Sequence, residues 1–265
     1  MTATSRAYAG SSRRERRPAR AGVVLAWLLA AATVGAQIAY PLVEGTALQR
    51  VTVATVVLFS ATCVTHALVH RGPLFTLGLV VVSAGGGLAA EAVGVRTGYP
   101  FGGYSYAGTL GPEVLDVPVV VPLAWTMMAY PVLLAARRLG RRLAPVVGGL
   151  GLMAWDMFLD PQMVDDGHWT WTNPDPSLPA IDGIPLTNFA GWAAVGTAMM
   201  LVLDRLLPRD GADELVPAVL LGWTWLGYVI GNVFWFGDSS VALAAGIALG
   251  LLVVPYTWIL WQSRD

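Results

Sequence analysis

The chain has 265 residues and a formal net charge of −1; 55% of its residues are hydrophobic and only 12% are charged. That charged share is about half the share in an ordinary soluble domain. Mean hydropathy is +0.61. This composition argues against a soluble enzyme and predicts an all-α, polytopic membrane protein. Nucleic acid is not expected as a partner, because the sequence offers no basic, aromatic surface.

In chain order, residues 1–20 are predicted to form a basic, disordered cytoplasmic tail, and residues 21–265 a single helical membrane domain. Crossing a bilayer takes about 20 apolar residues, and about 17 at minimum. We predict about eight transmembrane helices; seven is the alternative, because the fifth stretch is short and rich in glycine. The predicted spans are 22–43, 51–70, 73–93, 117–136, 143–160, 185–207, 214–236 and 240–261.

The basic residues predict the orientation of these spans. All 16 are arginines. With the N-terminus in the cytoplasm, only Arg50 and Arg96 fall on the outer side, and the run RRLGRR at 137–142 lies inside. Cytoplasmic loops are enriched in basic residues, so the pattern favours an N-in/C-in protein of the cell membrane. The aspartate-rich loop 160–184, which has no cation, is then extracytoplasmic.

The sequence contains no signature of a cofactor or a metal centre. The single cysteine, Cys63, lies in an apolar span and is predicted to be a small buried hydrophobic residue. One cysteine rules out an intrachain disulfide, a cysteine-based zinc site and an iron–sulfur cluster. The chain has no GxGxxG motif, and the absence of lysine excludes a Walker-type phosphate loop. We therefore predict no cofactor and no bound metal.

Three segments that are both polar and aromatic fall on the predicted outer side, at 91–106, 155–192 and 232–238. The first begins with Glu91, near the outer end of the third span. An ionisable group within a span costs roughly a few kcal/mol, so it is a functional candidate by default. Burial favours the protonated carboxyl, which can donate a proton. The alternative is an interfacial glutamate that is hydrated or paired with Arg96.

The second segment contains Asp156 and Asp160, four residues apart. That spacing places both carboxyls on one face of a helix, and Pro161 is predicted to end the helix. Two carboxyls on one face can act as an acid–base pair, bind Mg²⁺ or mark the end of a span. Asp156 lies one turn deeper than Asp160 and is the better catalytic candidate.

A long loop follows, and loops of this length in a compact domain are usually functional or disordered. Its alternating His-Trp-Thr-Trp, beginning at His168, predicts a short strand or a lid. His168 can serve as a base or a ligand, although one histidine among aspartates is not a metal signature. His66 and His70 are predicted to be interfacial. Asn188 and Asn232, each followed by an aromatic residue, are helix caps, interhelical hydrogen-bonding groups or water ligands.

Four motifs occur in a fixed order along the chain. They are E-A-x-G-x-x-x-G-Y-P-F-G-x-Y-x-Y (91–106), A-W-D-x-F-L-D-P-Q-M-V (154–164), W-x-W-x-N-P (169–174) and G-I-P-L-x-N-F-x-G-W (183–192). Together they resemble the membrane carotenoid-biosynthesis family of acyclic end-group hydratases, of the bisanhydrobacterioruberin or γ-carotene hydratase type. The resemblance covers roughly residues 75–260. It implies a carotenoid or other isoprenoid lipid substrate within the bilayer.

The implied reaction adds water to a terminal C=C bond without a cofactor. A carboxylic acid protonates the alkene, aromatic faces stabilise the tertiary carbocation, and a positioned water captures it. Either Glu91 or Asp156 can be the acid. The candidate catalytic residues are Glu91, Asp156, Asp160, Asn188 and Asn232. The candidate substrate-binding residues are Tyr99, Phe101, Tyr104, Trp155, His168, Trp169, Trp171, Trp192 and Trp235.

Two other classes of protein remain as alternatives. The D-x-x-x-D spacing of Asp156 and Asp160 resembles the Mg²⁺-diphosphate motif of intramembrane prenyltransferases, such as a lycopene elongase. That motif normally lies on the cytoplasmic side with basic phosphate clamps, and only Arg96 is nearby here. The other alternative is a non-catalytic carotenoid- or lipid-binding membrane protein or transporter. Matching repeats with broken helices would favour a transporter, and the sequence contains no convincing repeat.

Overall fold

The computed structural model describes residues 18–263, so most of the predicted 1–20 tail lies outside the described residues. Helices make up most of that range. They are α1 (Arg20–Ala39), α2 (Gly45–Arg71), α3 (Pro73–Val80), α4 (Gly86–Thr97), α5 (Val120–Leu139), α6 (Ala144–Asp165), α7 (Leu186–Leu206), α8 (Leu215–Phe234) and α9 (Ser239–Gln262). A 3₁₀ turn, Tyr40–Leu42, extends α1, and a π-helical turn, Val81–Gly85, joins α3 to α4.

Seven stretches of the described chain are helical, long enough and apolar enough to cross a membrane. They are α1 with its 3₁₀ extension, α2, the continuous helix of α3 and α4, and then α5, α7, α8 and α9. Large apolar side chains on these helices point outward: Leu74 is 83% exposed and Leu251 is 74% exposed. The predicted all-α, polytopic fold is confirmed. The N-in/C-in orientation stays a prediction.

The fifth predicted span, 143–160, corresponds to α6, which is not among the seven apolar stretches. With 22 residues, α6 is about 33 Å long, and much of its surface is buried. The prediction that Pro161 ends this helix is wrong, because α6 continues to Asp165. Proline removes one backbone hydrogen bond, and the buried side chain of Met163 packs the additional turn against the core.

Helices α6 and α7 pack closely through small residues. A Cβ atom added to Gly149 would lie 2.5 Å from the backbone nitrogen of Thr197, and one on Gly196 would lie 3.1 Å from the Cα of Gly149. Small residues let membrane helices approach each other in this way. The close packing holds Asn188, in the first turn of α7, against the polar face of α6.

Short antiparallel strands cover the end of the bundle at which α4 and α6 finish. They are β1 (Tyr104–Tyr106), β2 (Glu113–Val114), β3 (Val117–Pro118), β4 (Trp169–Trp171), β5 (Ser177–Leu178) and β6 (Ile181–Pro185). Strand β1 pairs with β4, β2 with β3, and β5 with β6. Strand β4 confirms the strand predicted from the alternating sequence that begins at His168.

Ion pairs gather at the opposite end of the bundle. The guanidinium of Arg71 pairs with Asp210, and Arg137 Nε lies 2.8 Å from Asp204 Oδ1. The Arg137 side chain also donates to the last carbonyl groups of α7. Both arginines belong to segments predicted to be cytoplasmic. Within residues 18–263 these arginines therefore lie at one end of the bundle, and the carboxyls of Glu91, Asp156 and Asp160, which form no ion pair, lie near the other.

Candidate active site

Three buried carboxyls line one cavity, which we call the carboxyl cavity. Glu91 on α4 is 5% exposed, and on α6 Asp156 and Asp160 are 1% and 2% exposed. The volume of the cavity is about 70 Å³. The other lining residues are mainly apolar or aromatic and come from α2, α5, α6, α7 and the strands β1 and β4. Two polar segments that the sequence singled out therefore meet at one place.

Asp156 and Asp160 lie on the same face of α6, as their spacing predicts. Asn188 bridges them: its Nδ2 donates to Asp156 Oδ2 at 2.7 Å and to Asp160 Oδ2 at 2.6 Å. Among the described residues Asn188 is the only hydrogen-bond donor to Asp156. The Asn188 amide is thus an interhelical link between α7 and α6, which was one of the interpretations left open by the sequence.

Strand β1 supplies hydrogen bonds to Glu91. In a strand, alternate side chains share a face, so both tyrosines of β1 reach the same carboxyl. Tyr104 and Tyr106 donate to Glu91 Oε2, the latter at 3.0 Å. Trp125 on α5 donates its indole N–H to Glu91 Oε1 at 3.1 Å. Burial raises the pKa of both phenols, so they stay protonated as donors.

Strand β4 supplies hydrogen bonds to Asp160. The indole N–H groups of Trp169 and Trp171 donate to Asp160 Oδ1 at 2.7 and 3.0 Å. The antiparallel register places Trp171 opposite Tyr104 and Trp169 opposite Tyr106. The strand pair β1–β4 therefore forms a cover whose inward side chains hold two of the three carboxyls from above.

The remaining wall of the cavity is aromatic. Trp125 and Trp192 stack with their ring centroids 4.0 Å apart and an interplanar angle of 8°. Trp155 meets Trp192 edge to face at 5.8 Å, and Phe101 packs against Trp192 at 6.1 Å. Aromatic faces carry negative electrostatic potential, and they attract a cation without needing a counter-ion.

No cation offsets the three carboxyls. Within residues 18–263, Glu91, Asp156 and Asp160 form no ion pair with an arginine or a histidine. The alternative pairing of Glu91 with Arg96 is wrong, because Arg96 lies 2.9 Å from Asp116 on the surface. The hydrogen bonds to the carboxyls come only from neutral amide, indole and phenol groups. The site is therefore electrically suited to a positively charged species.

Most of the predicted site residues line the carboxyl cavity, and four do not. Tyr99 is 77% exposed. His168 is buried just before β4, where its Nδ1 lies 2.7 Å from Thr109 Oγ1. Asn232 donates to the carbonyl of Tyr228 on its own helix at 2.9 Å, and Trp235 lines a neighbouring cavity instead. The structure does not bring these four side chains to the carboxyls.

Sequence reasoning missed two donors to Glu91, namely Tyr106 and Trp125. The Y-x-Y pattern contained a signal for Tyr106, because its side chain shares a strand face with that of Tyr104. Trp125 lies inside an apolar span, where a tryptophan has no pattern to distinguish it from other core residues. Only the packing of α5 against α4 reveals its role.

One group of described residues could hold a metal ion, and it lies far from the carboxyls. Ligand atoms of His66, His70 and Asp213 lie within 4.8 Å of one another. His66, predicted to be interfacial, is fully buried, and its Nδ1 lies 2.9 Å from the Tyr130 hydroxyl. This group is at the arginine end of α2, roughly 20 Å along the helix from the cavity-lining residue Thr52. It contributes nothing to the carboxyl cavity.

The fold and the site define a multi-pass membrane protein with a buried, uncompensated set of carboxyls under an aromatic cover. The chain belongs to the carotenoid biosynthesis protein family, which matches residues 51–256. This confirms the resemblance on which the sequence prediction rested.

The chain is similar to a bisanhydrobacterioruberin hydratase of Haloarcula japonica, with 34% identity over 203 residues. The match covers 69% of this chain and 64% of that relative, which is less than two thirds of the relative's length. No solved structure matches the chain.

Proposed function

We propose that this protein is a cofactor-independent hydratase that adds water to the terminal C=C bond of an acyclic carotenoid. The observation that carries the proposal is the cavity itself, where three carboxyls meet aromatic faces and no cation. Such a site favours a positively charged intermediate over a neutral or anionic one. The name of the Haloarcula japonica relative supports the same chemistry.

Asp156 is the proton donor in this mechanism. Two carboxyls held against one amide nitrogen repel each other when both are ionised, so the pair keeps one proton. Asp160 accepts three hydrogen bonds, whereas Asp156 accepts one, so the ionised form is better stabilised at Asp160. The proton therefore resides on Asp156. Its transfer breaks the O–H bond, and the π electrons form the new C–H bond.

The tertiary carbocation that results lies among the aromatic rings and the remaining carboxylates. The Trp125–Trp192 stack and Trp155 present π faces, and a suitable desolvated contact contributes about 2 kcal/mol or more. Glu91, held by three neutral donors, adds a fixed negative charge. These groups are in place before the reaction, so they stabilise the cation without reorganising.

Water then captures the cation and forms the C–O bond. The excess proton of the captured water passes to the Asp156–Asp160 pair, which restores the starting state. Asn188 holds the two carboxyls in position and lies where it can orient the incoming water. The sum is alkene plus water to tertiary alcohol, with no change in oxidation state of the protein.

The prenyltransferase alternative lacks support at this cavity. Diphosphate binding needs basic side chains, and none of the described residues that line the cavity is an arginine. We place the site at the extracytoplasmic face of the cell membrane, because the arginine-rich segments lie at the other end of the bundle. The substrate enters from the lipid bilayer, which is the environment that surrounds the protein.

The test is hydration by purified protein in detergent, followed by mass spectrometry of the carotenoid. Both Asp156→Asn and Glu91→Gln preserve size. Asp156→Asn should lower the rate at least about a hundredfold, because acid–base catalysis typically contributes about 10²–10⁴-fold. Glu91→Gln should lower it by about 10²–10³-fold, because it removes a preorganised charge that stabilises the cation. Asp165→Asn and Asp175→Asn alter exposed carboxyls and serve as matched controls. Near-normal turnover in both amide variants of the cavity would contradict the mechanism.

The same assay separates the alternative functions. An elongated product that requires Mg²⁺ and is lost with a chelator would indicate a prenyltransferase. Binding of the carotenoid without any product would indicate a carrier. Hydration that persists with the chelator present is the expected result.

A further inference from the structure

A second, larger cavity adjoins the carboxyl cavity, between α1, α2, α6 and α8. Its volume is about 300 Å³. Five residues line both cavities, so they form the wall between them. These residues are Thr52, Val56, Trp155, Leu159 and Met163. Whatever occupies the second cavity is therefore within one side chain of the reacting groups.

The second cavity collects polar atoms that have no protein partner. Of the eight buried side-chain nitrogen or oxygen atoms without a hydrogen bond in residues 18–263, five belong to residues that line it. They are Gln37 Oε1, Thr55 Oγ1, Trp155 Nε1, Gln162 Oε1 and Thr224 Oγ1. These atoms come from four different helices, and Trp155 and Thr224 are 0% and 3% exposed.

An apolar occupant would leave these atoms unsatisfied. A buried polar group without a partner is destabilising, and native proteins rarely leave several in one place. Buried water resolves this, because one molecule makes two to four hydrogen bonds to such groups. The cavity is large enough for several waters, since one water needs roughly 10–15 Å³ of such a volume. The arrangement of acceptors and donors thus points to water.

We propose that the second cavity is a water chamber that supplies the molecule added in the hydration reaction. This inference rests on the proposed hydratase function. Trp155 lies in the shared wall, and its indole N–H has no hydrogen-bond partner among the described residues. We infer that Trp155 is a positioning residue, whose N–H donates to a water molecule at the boundary with the carboxyl cavity. The chamber lets the aromatic wall stay dry until a cation forms, and water then needs to travel only past that wall.

The proposal predicts how the carbocation divides between two fates. If water adds to the carbocation, the product is the alcohol. If the carbocation loses a proton to the carboxylate, the alkene forms again. In D₂O the first step forms a C–D bond. Recovered alkene that carries deuterium therefore comes from cations that lost a proton before water could add. The ratio of deuterated alkene to alcohol measures water supply independently of the protonation rate.

The experiment compares the wild type with Thr55→Val, Thr224→Val and the double variant, which keep shape and remove the hydroxyls. We expect the ratio of deuterated alkene to alcohol to rise about fivefold for each hydroxyl lost. Thr62→Val, on the same helix as Thr55 but with its hydroxyl bonded to the Leu58 carbonyl, is the control and should leave the ratio unchanged. An unchanged ratio in the double variant would overturn the proposal.

A second measurement needs no turnover. Radiolytic hydroxyl-radical labelling in H₂¹⁸O modifies side chains that touch bound water. We expect ¹⁸O on Met163 of the wild type and markedly less on Met163 of the double variant. Absence of label on wild-type Met163 would refute the chamber even in an active enzyme. Label on Met163 together with a complete lack of hydration would instead retain the wet cavity and reject the hydratase function.

An apolar occupant has its own signature. If the polyene of the substrate fills this cavity, Thr55→Val and Thr224→Val should lower KM and leave the deuterium ratio unchanged. That outcome would replace the water chamber with a substrate channel.

Discussion

Removing the Tyr106 hydroxyl tests whether Glu91 acts as a fixed negative charge. Tyr106→Phe keeps the ring and its edge-to-face contact with Trp169, and it deletes one of three hydrogen bonds to the Glu91 carboxyl. A hydrogen bond to a charged group contributes about 1.5–3 kcal/mol, and a neutral one about 0.5–1.5 kcal/mol. The cost of the deletion therefore reports the charge on Glu91.

The comparison is a double-mutant cycle with Glu91→Gln. In the wild-type background, Tyr106→Phe should lower the free energy of unfolding by about 1.5–3 kcal/mol, and in the Glu91→Gln background by about 1 kcal/mol. Unfolding is followed by SDS titration in mixed micelles, with hydration rates measured on the same samples. Equal costs in the two backgrounds would mean that Glu91 is neutral in the folded protein. The cation-stabilising role assigned to this residue would then have to be abandoned.

Three further predictions concern packing, the arginine end and topology. Gly149→Ala should destabilise the protein by about 1–3 kcal/mol through overpacking against Thr197. Gly222→Ala is the control and should not destabilise it, because a Cβ atom added there has no neighbour within 4 Å. Thermal stability in detergent distinguishes the two variants. Arg137→Gln should cost about 1.5–3 kcal/mol, because it removes a charge-assisted hydrogen bond to the half-buried Asp204, which keeps its ion pair with Arg209, yet hydration per folded molecule should stay normal. Single cysteines in the loop 160–184 should react with a membrane-impermeant reagent from the outside of intact cells, and labelling only after lysis would reverse the proposed topology.

Local sequence patterns were sufficient to place Asp156 and Asp160 on one helical face and to predict strand β4. Helix and strand periodicities are properties of neighbouring residues, so these two features depend on no distant contact. The same helical periodicity explains why the alternative pairing of Glu91 with Arg96 was wrong. Five residues along a helix turn the side chain by roughly 140° away from the starting face, and Arg96 instead reaches the surface near Asp116.

Long-range packing decided what the sequence left open. Asn188 and Asn232 have the same local pattern, an asparagine followed by an aromatic residue near a helix end. Only the close contact of α7 with α6 brings Asn188 to the aspartates, whereas Asn232 turns back onto its own helix. The cover likewise depends on β1 meeting β4 across about sixty residues of chain. No local pattern contains that information.

The strand pair that covers the cavity links access to the cavity with the hydrogen bonding of its carboxyls. Strands β1 and β4 both roof the site and supply four of the hydrogen bonds that Glu91 and Asp160 receive. Lifting the strands to admit a lipid would remove all four donors at once. Glu91 and Asp160 would then lose most of the contacts that hold their carboxyl oxygens in place. The cavity in which we propose that the cation forms is therefore complete only while the two strands lie over it.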